Sequence, residues 1–273
     1  MVMDFQHLQT QLDSLRGKVG FFFEDLESGD AWGVHADEPY VAASVIKLLV
    51  LCEAYRQFER GILSRGELIP VRQEDKVPSC GAAAYLHDGI SLTLKDLCVL
   101  MIILSDNTAT NLLIRKLGMD NINRSARELG FEKTRLNRLL FDAKASAAGI
   151  ENYFAPSEIG RFYELLWKGE LVSADASREM LEILKNQEIN HKIPSMLPRD
   201  LPVAHKTGED IGITHDTGII YAPHPFILCF ASNNTDVPET EQFIRTAARE
   251  VYDRQTESHP SSKVPGGKIS EKK

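Results

Sequence analysis

The chain has 273 residues, of which 43% are hydrophobic and 26% are charged, and its formal net charge is −8. This length and composition are typical of a globular protein with a sizeable buried core. The acidic balance, which no basic stripe offsets, argues against a nucleic-acid partner, and the longest apolar run, 97–104, is too short to span a bilayer.

The first part of the chain predicts a helix, a hairpin and a second helix. Apolar residues recur at helical spacing before Gly17, and strand-like runs flank a short turn. In the segment that follows, apolar side chains lie all round a helix, which indicates that the helix is buried. The predicted elements are a helix over 4–16, strands over 19–26 and 31–35, and a helix over 45–60.

The middle of the chain predicts mainly helices. Residues 69–81 are rich in Pro, Gly and charge and are expected to form a loop. Residues 131–155 show no clean period and are expected to form a long functional loop. Apolar periodicity, with Pro156 at a first helical position and Ser173 as a cap, predicts helices over 93–104, 108–117, 120–129, 157–168 and 174–185.

The C-terminal part of the chain returns to strands. A three-strand meander is predicted over 203–206, 217–221 and 226–232, followed by a helix over 239–252. Strands at both ends with helices between them predict an α+β fold. In this fold an antiparallel sheet, built from both termini and flanked by helices, packs beside an all-helical lobe.

The same pattern predicts where the lobes and the tail begin. We expect residues 1–43 and 200–258 to form a discontinuous α/β lobe, and residues 44–199 to form the helical lobe. Residues 259–273 are polar and rich in Pro and Gly, and are expected to be a disordered tail.

The cysteines and the N-terminus predict a cellular compartment. The N-terminus has no basic region and no apolar segment, so no signal peptide is visible. Cys52, Cys80, Cys98 and Cys229 form no C-x-x-C pair, and three of them lie in apolar segments. Buried free thiols of this kind suit a reducing compartment, which predicts a cytoplasmic protein.

A serine and a lysine three residues apart open the buried helix. A helix places the Lys47 ammonium on the same face as the Ser44 hydroxyl. Serine becomes a nucleophile when a neighbouring base takes its proton, and lysine can be that base if burial or a second cation lowers its pKa. The pattern alone is weak, because serine often caps a helix and because 270–273 repeats it in the tail.

Three short motifs strengthen this interpretation because they stand in a fixed order. They are Ser44-Val-Ile-Lys47, Ser105-Asp-Asn107 and Lys206-Thr-Gly208. Class A β-lactamases and penicillin-binding proteins carry three such motifs. On these residues, and on the stretches 92–97 and 105–111, the chain over 4–254 resembles the class A β-lactamase superfamily of penicillin-recognising serine hydrolases.

The resemblance implies a role for each motif residue. Ser44 would attack a carbonyl and become acylated, with Lys47 as base or proton relay. The backbone N–H groups of Ser44 and Glu209 would form the oxyanion hole. Ser105, helped by Lys206, would pass a proton to the leaving nitrogen.

The remaining motif residues would bind substrate or brace the site. The resemblance implies that Asn107 hydrogen-bonds the substrate amide and that Lys206, together with Thr207, binds the substrate carboxylate. Gly208 would let the substrate lie along the strand edge. Asp106 is interpreted as structural, bracing its own loop.

The chain also departs from the family pattern. Residues 134–138 resemble the beginning of the family's catalytic loop, but Leu140 stands where class A enzymes carry the glutamate that activates the deacylating water. Asp142 or Glu151 would be a substitute base, or both are solvated loop charges. The departure therefore predicts slow release of the acyl group.

A second departure concerns substrate binding. The family's arginine that assists carboxylate binding, on the strand after the third motif, is absent. Thr214 and His215 stand in that region, and Lys192 would reach in from the preceding loop.

The histidines on or beside the last strands do not predict a metal site. His205, His215 and His224 could combine with Asp210 or Asp216, but no pair has the spacing of helical metal ligands. No phosphate-cradling glycine loop is present either. We therefore expect neither a metal nor a cofactor.

The sequence leaves three functions to weigh. The leading one is a β-lactamase-like serine hydrolase that opens a cyclic amide through an acyl-Ser44 intermediate. The first alternative is a serine peptidase or esterase on a peptidoglycan-like or unknown acyl substrate. The second is a binding or sensor protein that is acylated without turnover. Each implies a small-molecule partner and neither nucleic acid nor membrane, and no feature indicates an oligomeric state.

Overall fold

The structure is a computed structural model, and it describes residues 5–258; the predicted tail, 259–273, lies outside that range. The helices are α1 Gln6–Ser14, α2 Lys47–Glu59, α3 Leu94–Ile103, α4 Asn107–Leu117, α5 Met119–Glu128, α6 Ala143–Ala147, α7 Pro156–Lys168, α8 Ala174–Lys185 and α9 Val237–Ser258. The strands are β1 Lys18–Asp25, β2 Ala31–Val34, β3 Tyr40–Val41, β4 Leu68–Val71, β5 Ile90–Thr93, β6 Tyr153–Phe154, β7 Val203–Asp210, β8 Ile213–Ile220 and β9 Phe226–Asn233. Short 3-10 turns cover Ala43–Ile46, Gln73–Asp75, Ala83–Tyr85 and Ile193–Met196.

The main sheet joins the two ends of the chain. Its strand order is β2-β1-β9-β8-β7, and every neighbouring pair is antiparallel. The N-terminal hairpin pairs with the C-terminal meander where Phe21 of β1 lies opposite Phe230 of β9. The α+β architecture predicted from the sequence is therefore confirmed.

Each face of the sheet has its own apolar core. On one face α1 and α9 pack with Phe21, Phe230 and Val251, all nearly inaccessible to solvent. On the other face the helical part of the chain packs around α2, whose apolar side chains are buried all round. Burying one large apolar side chain stabilises the fold by about 1.5–3 kcal/mol. Together the two cores therefore hold the sheet in place, including the edge strand that carries the third motif.

Several details differ from the sequence prediction. Residues expected as loop over 69–81 include β4, which pairs with β5 in a separate two-stranded sheet. The loop over 131–155 contains α6 and β6. The helix predicted from residue 45 starts with a 3-10 turn, and α2 proper begins at Lys47. Within residues 5–258, no helix has both the length and the apolar character that crossing a membrane requires.

The boundary between the predicted lobes stays a prediction, although the packing of the helices is clear. α7 packs on β1 and β9, and α8 packs on β7. The loop over 131–155 folds back on the core because Glu158 of α7 accepts hydrogen bonds from the backbone N–H groups of Glu132, Lys133 and Thr134.

Candidate active site

A cleft of about 700 Å³ opens where the first motif, the long loop and the end of β7 meet. Its lining includes Ser44, Asn107 and Glu209 from the three motif regions. The other residues that line it are Val41, Ala43, Ser79, Cys80, Arg138, Leu140, Phe141, Asp142, Ala143, Ser146, Glu151, Asn152, Asp210, Ile211, Ile213, Val237 and Glu241.

Ser44 lies in the 3-10 turn that precedes α2. The backbone enters this turn through Ala43, whose φ of 43° is unusual for a residue with a side chain. In a 3-10 turn side chains at i and i+3 eclipse, so Ser44 and Lys47 project from the same side, as the sequence spacing predicted. Ser44 is half-buried, and its N–H belongs to the first turn, where N–H groups lack helical partners.

Lys47 is completely buried beside the cleft. Its Nζ lies 2.7 Å from the backbone oxygen of Ser105, 3.0 Å from Ser105 Oγ and 2.8 Å from Asn107 Oδ1. Burial and then the nearby Lys206 ammonium lower the pKa of Lys47 well below its ordinary value. The resting Ser44 hydroxyl forms no hydrogen bond to Lys47 within the described residues, so the amine is held by the second motif.

The second motif is fixed by its central aspartate. Asp106 caps α4 through the Ala109 N–H, and its other oxygen accepts hydrogen bonds from the N–H groups of Ala82 and Ala83, each at 2.7 Å. Ser105 adopts a φ of 53°, so a strained backbone presents its hydroxyl to Lys47. The structural role expected for Asp106 agrees with these contacts.

Lys206 completes a chain of buried groups. Its Nζ lies 3.1 Å from Ser105 Oγ and 3.0 Å from the backbone oxygen of Thr207. Burial first, and then the Lys192 ammonium, lower the pKa of Lys206 to about 7. The sequence predicted that this strand ends at Lys206, which is wrong: β7 continues to Asp210, so Lys206 lies in mid-strand opposite Thr217.

Gly208 makes room for a neighbouring ring. A Cβ on Gly208 would lie 2.8 Å from the His215 ring and 3.2 Å from the backbone oxygen of Ala42. His215 Nε2 donates to the Val41 backbone oxygen, and Nδ1 accepts from the Ser232 N–H. Burial lowers the pKa of His215 to about 4, so the ring is neutral and ties β8 to the segment just before Ser44.

The substrate-side residues of the third motif are unequally accessible. Thr207 is buried and only 2% exposed, whereas Glu209 lines the cleft. Lys192 is fully buried and donates to Glu209 Oε1 at 2.8 Å and to the His215 backbone oxygen at 3.2 Å. Burial raises the pKa of Glu209, but the Lys192 ammonium outweighs it and holds that pKa below its ordinary value. The cation expected to replace the missing arginine is thus neutralised by Glu209.

Leu140 stands on the wall of the cleft. Its backbone N–H donates to Asn111 Oδ1 and its oxygen accepts from Asn111 Nδ2, each at 2.9 Å, which fixes the loop against α4. Both substitute bases considered from the sequence also line the cleft. Glu151 pairs with Arg138 at 2.6 Å, and Asp142 caps α6 by accepting from the Ala145 N–H at 2.9 Å. Their role in deacylation stays a prediction.

The structure therefore brings most of the predicted residues together. Lys47, Ser105, Asn107 and Lys206 form one hydrogen-bonded cluster, and Ser44 and Glu209 line the adjoining cleft. Sequence analysis missed Ser79, Cys80 and Glu241, because no motif or spacing connects these residues with the cleft.

The histidines considered from the sequence have structural contacts. His205 lies between Asp216 and Asn190, at 2.8 and 2.9 Å, and His224 Nδ1 lies 2.7 Å from Glu27. Within the described range, the group whose ligand atoms could converge on a metal is His191, Glu209 and Glu241, within 4.8 Å of one another. The Glu209 carboxylate is already paired with the Lys192 ammonium, which disfavours binding of a metal cation by these three residues.

Comparison with known proteins connects this geometry with a family. The model of the β-lactamase enzyme family matches residues 5–255. A β-lactamase of Streptomyces fradiae is 28% identical over 257 residues, covering 88% of this chain and 82% of the relative. Among solved structures, a β-lactamase of Sphaerobacter thermophilus superposes with a TM-score of 0.85 at 28% identity, covering 93% and 98% of the two chains.

Solved structures of PBP-A have nearly the same fold. PBP-A superposes with a TM-score of 0.84 at 27% identity, covering 92% of this chain and 95% of its own. A leucine-to-glutamate mutant of PBP-A, solved as an acyl-enzyme complex with penicillin G, superposes equally well. Because the family model spans nearly the whole described chain and the three motifs converge on one cleft, the chain belongs to the β-lactamase enzyme family.

Proposed function

We propose that the chain is a serine hydrolase of the β-lactamase type, which opens a β-lactam ring through an acyl-Ser44 intermediate and releases the acyl group slowly. The observation that carries the proposal is the buried cluster in which Lys47 and Lys206 both contact the Ser105 hydroxyl beside Ser44. The relatives named β-lactamase support the same substrate class.

Acylation needs a neutral amine near Ser44. Burial favours the neutral form of Lys47, which has two N–H donors and one lone pair. As substrate binds, Lys47 takes the proton of the Ser44 hydroxyl while Oγ bonds to the carbonyl carbon. The oxygen of the tetrahedral intermediate then accepts hydrogen bonds from the N–H groups of Ser44 and Glu209.

Ring opening needs a proton on the leaving nitrogen. The C–N bond breaks as the nitrogen takes the proton of the Ser105 hydroxyl, and that hydroxyl is reprotonated from Lys47 or Lys206. The products of this step are an ester on Ser44 and a neutral secondary amine, which stays attached to the acyl group through the opened ring. Both lysines that could reprotonate Ser105 lie within hydrogen-bond distance of its hydroxyl.

Deacylation is the slow step because the cleft offers a poor base. Leu140 cannot accept a proton from water, and Glu151 is neutralised by Arg138. Asp142 lines the cleft and is the proposed substitute base, although its Oδ1 already caps α6. Attack of water on the ester would release free Ser44 and the ring-opened acid.

The same observations support a second function. A site that acylates well and deacylates slowly suits a serine peptidase or esterase on a peptidoglycan-like or unknown acyl substrate, or a binding or sensor protein that is acylated once. Leu140 on the cleft wall and the similarity to PBP-A favour these alternatives.

Intact-mass spectrometry after mixing with benzylpenicillin tests the proposal. We expect a mass increase of one whole penicillin, because ring opening loses no atoms, followed by slow return to the free mass. Ser44→Ala should form no adduct, whereas Ser79→Ala, which removes another hydroxyl of the cleft lining, should acylate like the parent. An adduct that persists in Ser44→Ala would refute the proposed nucleophile.

The time course separates the candidate functions. Penicilloic acid that accumulates over many equivalents indicates a β-lactamase. Consumption of one equivalent of penicillin with a lasting adduct and no released penicilloic acid indicates the acylated sensor, and faster turnover of a linear ester or amide than of penicillin indicates the peptidase or esterase.

A further inference from the structure

If the proposed reaction is laid out along β7, the order of its groups indicates where the acyl part of a substrate lies. Lys206 contacts Ser105, which protonates the leaving nitrogen in the proposed reaction, so the leaving group lies at that end. In the same proposed reaction Glu209 contributes its backbone N–H to the oxyanion, so the carbonyl lies three residues further along the strand. Because an extended strand advances about 3.3 Å per residue, the acyl group points on toward Asp210 and Ile211.

The charges that line this cleft are predominantly negative. Six charged side chains line it, five carboxylates and Arg138. Arg138 is paired with Glu151, and Lys192 is paired with Glu209. Glu241 accepts from the Thr214 hydroxyl and lies 3.7 Å from the Arg245 guanidinium.

Two carboxylates remain without a cation. Neither Asp142 of the long loop nor Asp210 of β7 forms an ion pair with any described residue. Asp142 caps α6, and Asp210 accepts a hydrogen bond from the Ile211 N–H. Asp210 is exposed and Asp142 is half-buried, so their field at the acyl end attracts a cation and repels an anion, most strongly at low salt.

An apolar side chain stands next to each unpaired carboxylate. Ile211 is 98% exposed, and Phe141 is 51% exposed with a φ of 58°, which is rare for a bulky residue. Both line the cleft, one beside Asp210 and the other beside Asp142. A ligand that covers these exposed apolar side chains removes their surface from water, which favours its binding.

We propose that the site prefers acyl groups that carry a positive charge next to an apolar ring or chain. This preference rests on the proposed function, since it describes the substrate of the same serine. Asp210 supplies most of the discrimination because it stands on the strand that holds the oxyanion, and Asp142 adds to it. The substrates selected are cationic acyl compounds, such as amides or lactams of an α-amino arylacetic acid.

Three penicillins that share one nucleus test the preference. Benzylpenicillin, ampicillin and carbenicillin carry a phenylacetyl group whose α-carbon bears hydrogen, an ammonium or a carboxylate. At about pH 6 and low salt we expect the acylation rate constant of Ser44 to follow the order ampicillin, benzylpenicillin, carbenicillin. Added salt should bring the three acylation rate constants closer together, because salt screens charges at the protein surface.

The three penicillins also differ in intrinsic reactivity. A variant in which the carboxylate of the protein is replaced by a neutral amide separates that difference from the effect of charge. Asp210→Asn should lower the ratio of the ampicillin rate to the carbenicillin rate about fivefold or more, which corresponds to roughly one charge interaction at the surface. Asp175→Asn removes a carboxylate from α8, outside the cleft, and should leave the ratio within twofold of the parent. Melting temperatures establish that both variants are folded.

Each outcome decides the matter. A ratio that Asp210→Asn changes no more than Asp175→Asn does, or a parent enzyme that prefers carbenicillin, overturns the cationic preference while leaving acylation of Ser44 intact. If none of the three penicillins acylates Ser44, the proposed function fails, and the preference fails with it.

Discussion

Lys47 and Lys206 share one hydroxyl: their Nζ atoms lie 3.0 and 3.1 Å from Oγ of Ser105. Two ammonium groups so close together in a buried site repel each other, and burial penalises both. The pKa of Lys47 is therefore well below its ordinary value, and that of Lys206 is about 7. The pair titrates as a coupled unit, in which loss of a proton relieves the repulsion.

The first prediction concerns the pH dependence of acylation. Because neutral Lys47 is the proposed base, the acylation rate constant should rise with pH as the amine loses its proton and then level off. Lys47→Met should lower the rate constant about a thousandfold and remove the rise, in line with the usual loss of a general base. Time-resolved mass spectrometry with benzylpenicillin between pH 5 and 9 measures both effects.

Lys116→Met is the matched control for this prediction. Lys116 is exposed in the last turn of α4, pairs with Glu67 and does not line the cleft. Its loss should leave the pH profile unchanged. A parent rate that falls as pH rises from 5 to 8 would contradict Lys47 as the base.

The second prediction concerns stability. The pKa of Lys206 is about 7 in the folded chain and about 10.4 in an unfolded one, so between these values the unfolded state binds more protons. The free energy of unfolding should therefore increase with pH from about 7 to 10. In Lys206→Met this increase should be smaller. Denaturant titrations of both proteins at several pH values measure this increase. Parallel curves of unfolding free energy against pH would mean that the pKa of Lys206 is not lowered in the folded chain.

The sequence predicted the sheet and its helices because their apolar residues repeat with clear periods. β1, α4 and α8 begin and end within two residues of the expected positions. β4 was missed because Pro70 and the surrounding charge are typical of a loop, although a two-stranded sheet leaves room for an edge proline. The second helix was likewise predicted to begin too early, at residue 45, because the spacing of apolar residues does not distinguish a 3-10 turn from an α-helix.

The candidate site was predictable as far as its three motifs reach. Their residues converge as expected, because the sheet and α2 fix the positions of the motif segments. The Lys192–Glu209 pair and the unpaired Asp210 arise from tertiary contacts across many residues, which no local pattern encodes. Sequence could name Lys192 as a nearby cation but not show that Glu209 neutralises it.

The third prediction concerns the loop under the second motif. Gly81 has a φ of +115°, and a Cβ there would lie 2.3 Å from the Asp106 carboxylate. Gly81→Ala should lower the free energy of unfolding by about 2–4 kcal/mol and slow acylation, since it strains the backbone and displaces Asp106. Gly89→Ala shares a positive φ, +78°, but meets no atom within 4 Å.

The two alanine variants separate strain from steric contact. Gly89→Ala should cost about 1–2 kcal/mol, the value for left-handed backbone alone, and leave acylation unchanged. Urea denaturation followed by circular dichroism gives both free energies. Equal losses in the two variants would show that the contact with Asp106 contributes nothing.

The fourth prediction concerns the missing base. Leu140 lines the cleft, and its backbone is fixed by two hydrogen bonds to Asn111, so a new side chain at this position starts from a defined point. Leu140→Glu should place a carboxylate where it can take a proton from the deacylating water. Deacylation of the penicilloyl adduct should then speed up about a hundredfold, the lower end of the range for general-base catalysis.

Leu140→Gln distinguishes base catalysis from simple hydration of the cleft. Glutamine has nearly the same shape and polarity as glutamate but does not accept a proton at neutral pH, so its adduct should decay at close to the parent rate. Single-turnover decay of the acyl-enzyme mass gives the three rate constants directly, and acylation rates measured alongside show whether the cleft is intact. The acceleration by Leu140→Glu should also disappear below about pH 4, where the new carboxylate is protonated. If glutamate and glutamine accelerate decay equally, water access rather than a missing base limits deacylation, and if neither does, the water lies beyond the reach of position 140.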